Sequence, residues 1–151
     1  LAQQDPDPYL KEGYDFAHPP ALEDFEAQLE RSLEDLSEDR DEALFDRCPV
    51  DFLAYLSVHE DADDFDFDEW LPRVRTAIET LDLIVFVPIE ARDRIAFSRS
   101  DDEGGTTLAA DEKLKEMLLE NPFELGVDVL EVHGDVEMRA RMALQRIRGA
   151  R

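Results

Sequence analysis

Apolar residues recur at helical spacing through most of this chain. Leu22, Phe25, Leu29, Leu33 and Leu36 stand three and four positions apart, with Glu23, Glu26, Glu30 and Glu34 elsewhere on the wheel, so an amphipathic helix is predicted over residues 21–37. Val50, Phe52, Leu53, Ala54 and Leu56 predict a second helix, which opens at Pro49, where a first turn tolerates proline, and ends near His59. Trp70, Leu71, Val74, Ile78 and Leu81 give the apolar face of a third over residues 69–81, capped by the acidic stretch 60–68. Further helices are expected near 107–120 and over 136–147, the last with Met138, Met142, Ala143 and Ile147 turned inward.

Three runs break this period. Residues 83–87, LIVFV, are apolar on both faces and rich in β-branched side chains, as in an interior strand of a parallel sheet. Residues 43–45, ALF, predict a short buried strand, and residues 127–132 a third. Strands alternating with helices imply an α/β sheet with right-handed crossovers, in one domain spanning residues 1–151. Residues 1–20 hold four prolines and a glycine and read as an irregular arm, and a long polar loop covers about 89–106.

Charge narrows the partners. Asp and Glu number 39 against 16 Lys and Arg, a formal net charge of −23. That field repels nucleic acid and anionic membrane surfaces, so any phosphate site must be a local basic island. The acids are spread along the chain rather than gathered in a tail, which suits a solvated surface in a salt-rich cytoplasm better than an acidic recognition segment. Cys48 is the single cysteine, so a disulfide within the chain is impossible and a cytoplasmic setting is expected.

Candidate chemistry sits where strands of such a sheet end. Asp46 and Arg47 close the run at 43–45, where an aspartate can hold Mg²⁺ through water or take a hydroxyl proton, and an arginine can grip phosphate with its planar fork. The competing reading is an Asp-Arg pair that only caps the next helix. Asp51 is expected to cap that helix, and Cys48 to be a small packed side chain despite its neighbour Arg47. Arg92, Arg94 and Arg99 form a second basic island in the polar loop, unless they merely pair with Glu90, Asp93, Asp101 and Asp102. Gly104-Gly105 supplies a hinge-like break there.

DRCPVDFLAYL, built on Asp46, Arg47, Pro49 and Asp51, resembles the DR-x-P-x-D segment of P-loop nucleotide-kinase-like NTPases. GYDFAHPPALEDFEAQLERSLEDL is similar to the substrate-side helix before that motif, and LDLIVFVPIE to the following core strand. The resemblance implies a parallel-sheet, three-layer P-loop sandwich and an ATP- and Mg²⁺-dependent phosphotransferase or ATPase. It makes Asp46 the acid near Mg²⁺ or the acceptor, Arg47 a contact to phosphate, and Arg92, Arg94 and Arg99 lid arginines. Its partners would be a nucleotide and an unidentified phosphoryl acceptor, with a homodimer left open.

One departure matters. No stretch matches G-x-x-x-x-G-K-[ST], whose amides and lysine cradle ATP phosphates, and none of the six glycines precedes Lys-Ser or Lys-Thr. The expectation is that an amino-terminal strand and P-loop are missing before Leu1, that the strand would lie between those at 43–46 and 83–88, and that this chain alone is inactive and poorly stable. The alternative is a non-catalytic acidic α/β protein-binding module without ATP chemistry.

Overall fold

The computed structural model describes residues 21–90 and 102–149; the arm at 1–20 lies outside them. Helix α1 (Leu22–Ser37) follows the predicted period and buries Leu22, Leu29, Leu33 and Leu36. The Ala21 amide, which no helical carbonyl can reach, donates to the Asp24 carboxylate at 2.8 Å. Helix α2 (Pro49–Val58) buries Pro49, Val50, Phe52, Leu53, Ala54 and Leu56. A helix apolar nearly all round belongs inside a fold. It touches α1, helix α3 (Phe67–Ile78) and helix α4 (Asp102–Lys115).

Each of these helices brings side chains to one core. Leu29 of α1, Leu53 and Leu56 of α2, Val74 and Ile78 of α3, and Met117 beyond α4 are essentially sealed from solvent. Helix α3 starts where Asp66 accepts the Glu69 amide at 3.2 Å. Arg73 then ties α3 to α1 by an ion pair to Glu30 at 2.7 Å, with its guanidinium 4.8 Å from the Trp70 ring centre.

Helix α4 widens into a π-helical turn, Glu116–Glu120, that turns Met117 and Leu118 into the core. It ends at Asn121 in the left-handed region, φ 50°, which asparagine tolerates better than most residues. The Asn121 carboxamide oxygen accepts the Leu125 amide at 2.7 Å and fixes the turn into the next strand.

Strands β1 (Leu83–Phe86) and β2 (Asp128–Glu131) pair in parallel, Leu83 opposite Asp128 and Phe86 opposite Glu131. With α4 between them they form a β-α-β unit. Helix α5 (Val136–Gly149) follows. The fold is mixed α/β and mostly helical, with a two-stranded parallel sheet among the described residues.

Several expectations are corrected. Residues 43–45 form no strand: Ala43 is exposed, Leu44 is 97% exposed, and Phe45 is half-buried beneath the Arg40 guanidinium, 5.5 Å from its ring centre. A strand needs a ladder partner, and the charged residues 38–42 that lead into this segment hold it in water instead. Gly104-Gly105 lies inside α4, so the hinge-like break expected there is not formed, and residues 91–101 of the polar loop expected over 89–106 lie outside the described residues. Helix α5 buries nothing; Met138 and Ile147 are exposed, and Met142 and Ala143 are only half-covered. The spacing of its apolar residues is helical, but the thin sheet beneath covers little of it.

Candidate functional site

The corner before α2 is assembled from its backbone. Pro49 has no amide to leave unsatisfied at the first helical position, and the Cys48 amide donates to Asp51 Oδ2 at 2.8 Å. Asp51 therefore caps the helix as expected. Arg47, just before, has φ 73°, a left-handed conformation that costs a residue with a Cβ. That turn sends the chain from the exposed 38–46 segment directly into a buried helix.

Burial sets the chemistry of the neighbouring groups. It pushes the Cys48 thiol up to about 12, with the nearby Asp51 carboxylate adding to the rise. Cys48 is thus a packed thiol rather than a nucleophile, and Arg47 does not activate it. Burial also raises the Asp51 carboxyl, against the opposing pull of the Cys48 amide and the Arg47 charge.

Asp46, Arg47, Cys48 and Asp51 face β1 across a cleft of about 180 Å³, closed below by Leu114 and Leu118. The β1 side consists of Ile84, Val85, Phe86 and Val87. Consecutive strand residues point to opposite faces, so a cleft lined by four in a row runs along the strand's edge. It is the edge away from β2. A second hollow, about 590 Å³, lies along α4 and its π turn, but it is open to solvent and its Lys113 is already paired with Glu116 at 3.4 Å. The smaller cleft is the better candidate because an unengaged arginine and two carboxylates stand beside it.

Asp46 and Arg47 are both exposed. Neither makes a hydrogen bond or ion pair to another described residue, though the Arg47 charge reaches Asp51. The guanidinium fork is open to an anion. Asp46 is a lone acid, and among the described residues no group of three or more His, Cys, Asp or Glu converges as a metal site. Its predicted role with Mg²⁺ therefore needs ligands from water and phosphate. Arg92, Arg94 and Arg99 lie outside the described residues.

Sequence reasoning missed what fixes the exit of β1. The Ile89 amide donates to Asp111 Oδ1 of α4 at 3.1 Å, and the Gly134 amide to Glu90 Oε1 at 2.6 Å. These two carboxylates tie the segment after β1 to α4 and to the turn after β2. Nothing in their local sequence separates them from the many surface acids; only the fold brings amides to them. No helix among the described residues is long and apolar enough to cross a membrane. Set against known protein families, curated proteins and solved structures, the chain matches none of them, so its chemistry rests on the geometry of this corner and cleft.

Proposed function

We propose that the chain forms the acceptor side of a nucleotide-kinase-like P-loop phosphotransferase or ATPase that uses ATP and Mg²⁺. The observation that carries this reading is the Arg47 guanidinium, free of described partners beside Asp46, at the mouth of a cleft along the edge of a parallel strand. The rule that ligands gather where parallel strands give way to loops applies here to the β1 side alone, at Phe86 and Val87, since residues 43–45 form no strand. Phosphoryl transfer asks the protein mainly for position and charge: Arg47 would hold phosphate oxygens with its fork, and Asp46 would order Mg²⁺ through water or accept the acceptor's hydroxyl proton. Arg92, Arg94 and Arg99 would approach the same oxygens. The finer fold in this proposal is a three-layer P-loop sandwich, in which a further strand and the phosphate cradle occupy the β1 edge facing Asp46.

The test is ATP turnover by the protein as its gene encodes it, against a panel of nucleosides and nucleotides. Asp46→Asn is expected to lower turnover by about 10²–10⁴-fold, the usual contribution of a positioned acid-base group. Unchanged turnover removes Asp46 from the reaction. A non-catalytic acidic protein-binding module is the second reading, and the apolar side chains left in water on α5 favour it. Absence of any nucleotide turnover in that protein would select it.

A further inference from the structure

Helix α5 departs from the rest of the molecule in both charge and cover. It carries Arg139, Arg141, Arg146 and Arg148 against the single acid Glu137, in a chain of net charge −23. Val136, Ala140, Leu144 and Ile147 stand at i, i+4, i+8 and i+11 and make one stripe, roughly 16 Å long at 1.5 Å per residue. Val136 is 75% exposed, Leu144 47% and Ile147 42%. Arg141 spends its charge on Glu137 of its own helix at 3.3 Å, and Arg146 on Asp128 at 3.4 Å. Arg148 has no partner among the described residues. Arg139 Nε donates to the Gly134 carbonyl at 2.9 Å and keeps its charge, so the positive border of this apolar strip is carried by Arg139 and Arg148.

The chain also carries the complement. Residues 38–46 hold Glu38, Asp39, Asp41, Glu42 and Asp46 around Leu44, whose side chain stands 97% in solvent. The one basic residue there, Arg40, is paired with Glu38. An exposed leucine flanked in sequence by acids complements an apolar strip carrying Arg139 and Arg148 in polarity and sign.

Position decides that the match is made between chains. Asp46 flanks the β1 edge away from β2, whereas α5 is tied to β2 through Arg146 and Asp128. The two patches lie toward opposite edges of the sheet. We infer that α5 docks the acidic, leucine-tipped 38–46 segment of a second copy of this chain, so that copies join head to tail. The inference rests on Leu44, Asp39 and Asp41 rather than on the role proposed for Asp46, and a docked copy would lie beside the cleft that Asp46 lines. Because different patches meet, each added copy leaves one of each kind unfilled, and growth continues unless the rotation closes a ring.

Sedimentation velocity across a concentration series tests it, in salt high enough to screen the net charge. The wild-type mass is expected to climb from the 17.3 kDa monomer to dimers and longer species. Leu44→Ser and Ile147→Ser are surface changes that leave the circular dichroism unchanged, and each alone is expected to stay monomeric. Mixed in equal amounts, they should form a 1:1 dimer that grows no further, because each variant keeps the patch the other lacks. Asp41→Arg should weaken association at least several-fold, and Arg148→Glu in the partner should restore it. A wild type that stays monomeric at every concentration overturns the inference. So does a mixture that never dimerises, or co-sedimentation of monomer with phosphatidylserine vesicles that is lost in Ile147→Ser.

Discussion

The helical body and the sheet flank of this molecule are built to different standards. Around α2, side chains from four helices close a core in which Leu29, Leu56, Val74 and Ile78 are fully sealed. Across the sheet, β2 and α5 bury no side chain completely, and Val87 at the end of β1 is 49% exposed. Both regions have apolar residues at the right period. What differs is the number of neighbours: α2 has helices on several sides, whereas β2 has β1 as its one partner strand among the described residues and α5 buries no side chain. Stability therefore resides in the body, and the surfaces free to bind lie on the flank and at its seam.

The sharpest way to break that contrast is to remove the same kind of atoms from both regions. Leu56→Ala takes methyl groups from a site with no exposure and leaves a cavity, and is expected to cost about 2–5 kcal/mol of unfolding free energy. Ile147→Ala on α5 removes atoms already half in water, and should change stability by less than about 0.5 kcal/mol. Urea denaturation of the two variants reads this directly. At concentrations where the protein is monomeric, equal losses would mean that α5 is covered within its own chain and that the two regions do not differ.

Legibility in sequence divides along the same line. The body could be read residue by residue: Leu22 to Leu36 gave α1, Pro49 to Leu56 gave α2, and the Asp51 cap followed from its place three residues after Cys48. These are local effects, in which period and capping chemistry act within one or two turns. The strand at β1 was legible in LIVF, but the interior place expected for it is not seen. Among the described residues it pairs only with β2 and buries alternate side chains, Ile84 and Phe86, because a run apolar on both faces does not show how many neighbours it finds. Residues 43–45 were misread because three apolar side chains do not reveal whether a ladder partner exists. The inward face assigned to α5 failed likewise: a 3.6-residue period shows which side is apolar, not whether anything lies against it. At the proposed site, Asp46 and Arg47 were singled out by motif resemblance and by a strand at 43–45 that does not form, while the cleft they line also takes in Leu114 and Leu118, some seventy residues away, which only the fold brings near.

A smaller effect separates capping from charge at the seam. Asp51→Ala removes the acceptor for the Cys48 amide and is expected to cost about 1 kcal/mol. Asp51→Asn keeps an acceptor there but discards a charge that burial disfavours. Because the folded carboxyl titrates above its unfolded counterpart, the folded protein binds more protons between the two values, and the contribution of Asp51 to stability falls as pH rises through that window. At neutral pH the wild type bears the full cost of the buried charge, so Asp51→Asn should be the more stable form. The gap should close on acidification through the raised carboxyl value. Thermal midpoints of the two proteins against pH test the sign; a gap that widens in acid would mean that the Arg47 charge and the amide outweigh burial.

The smallest expected change lies at the residue joining the two regions. Arg47 holds φ 73°, a conformation that costs about 1–2 kcal/mol for a residue with a Cβ. Glycine relieves that strain but adds freedom to the unfolded chain worth about 0.4–1 kcal/mol. Arg47→Gly should therefore raise stability slightly, by roughly 0.5 kcal/mol as the balance of those two effects. Arg47→Lys keeps both the strain and a positive charge but loses the planar fork, so its stability should match the wild type. Pyrophosphate binding followed by calorimetry then separates strain from function. If the turn is held left-handed to present the guanidinium, Arg47→Gly gains stability and loses the anion, while Arg47→Lys binds it more weakly. If Arg47→Gly instead loses stability, the residue is part of the packed body, and the seam lies elsewhere.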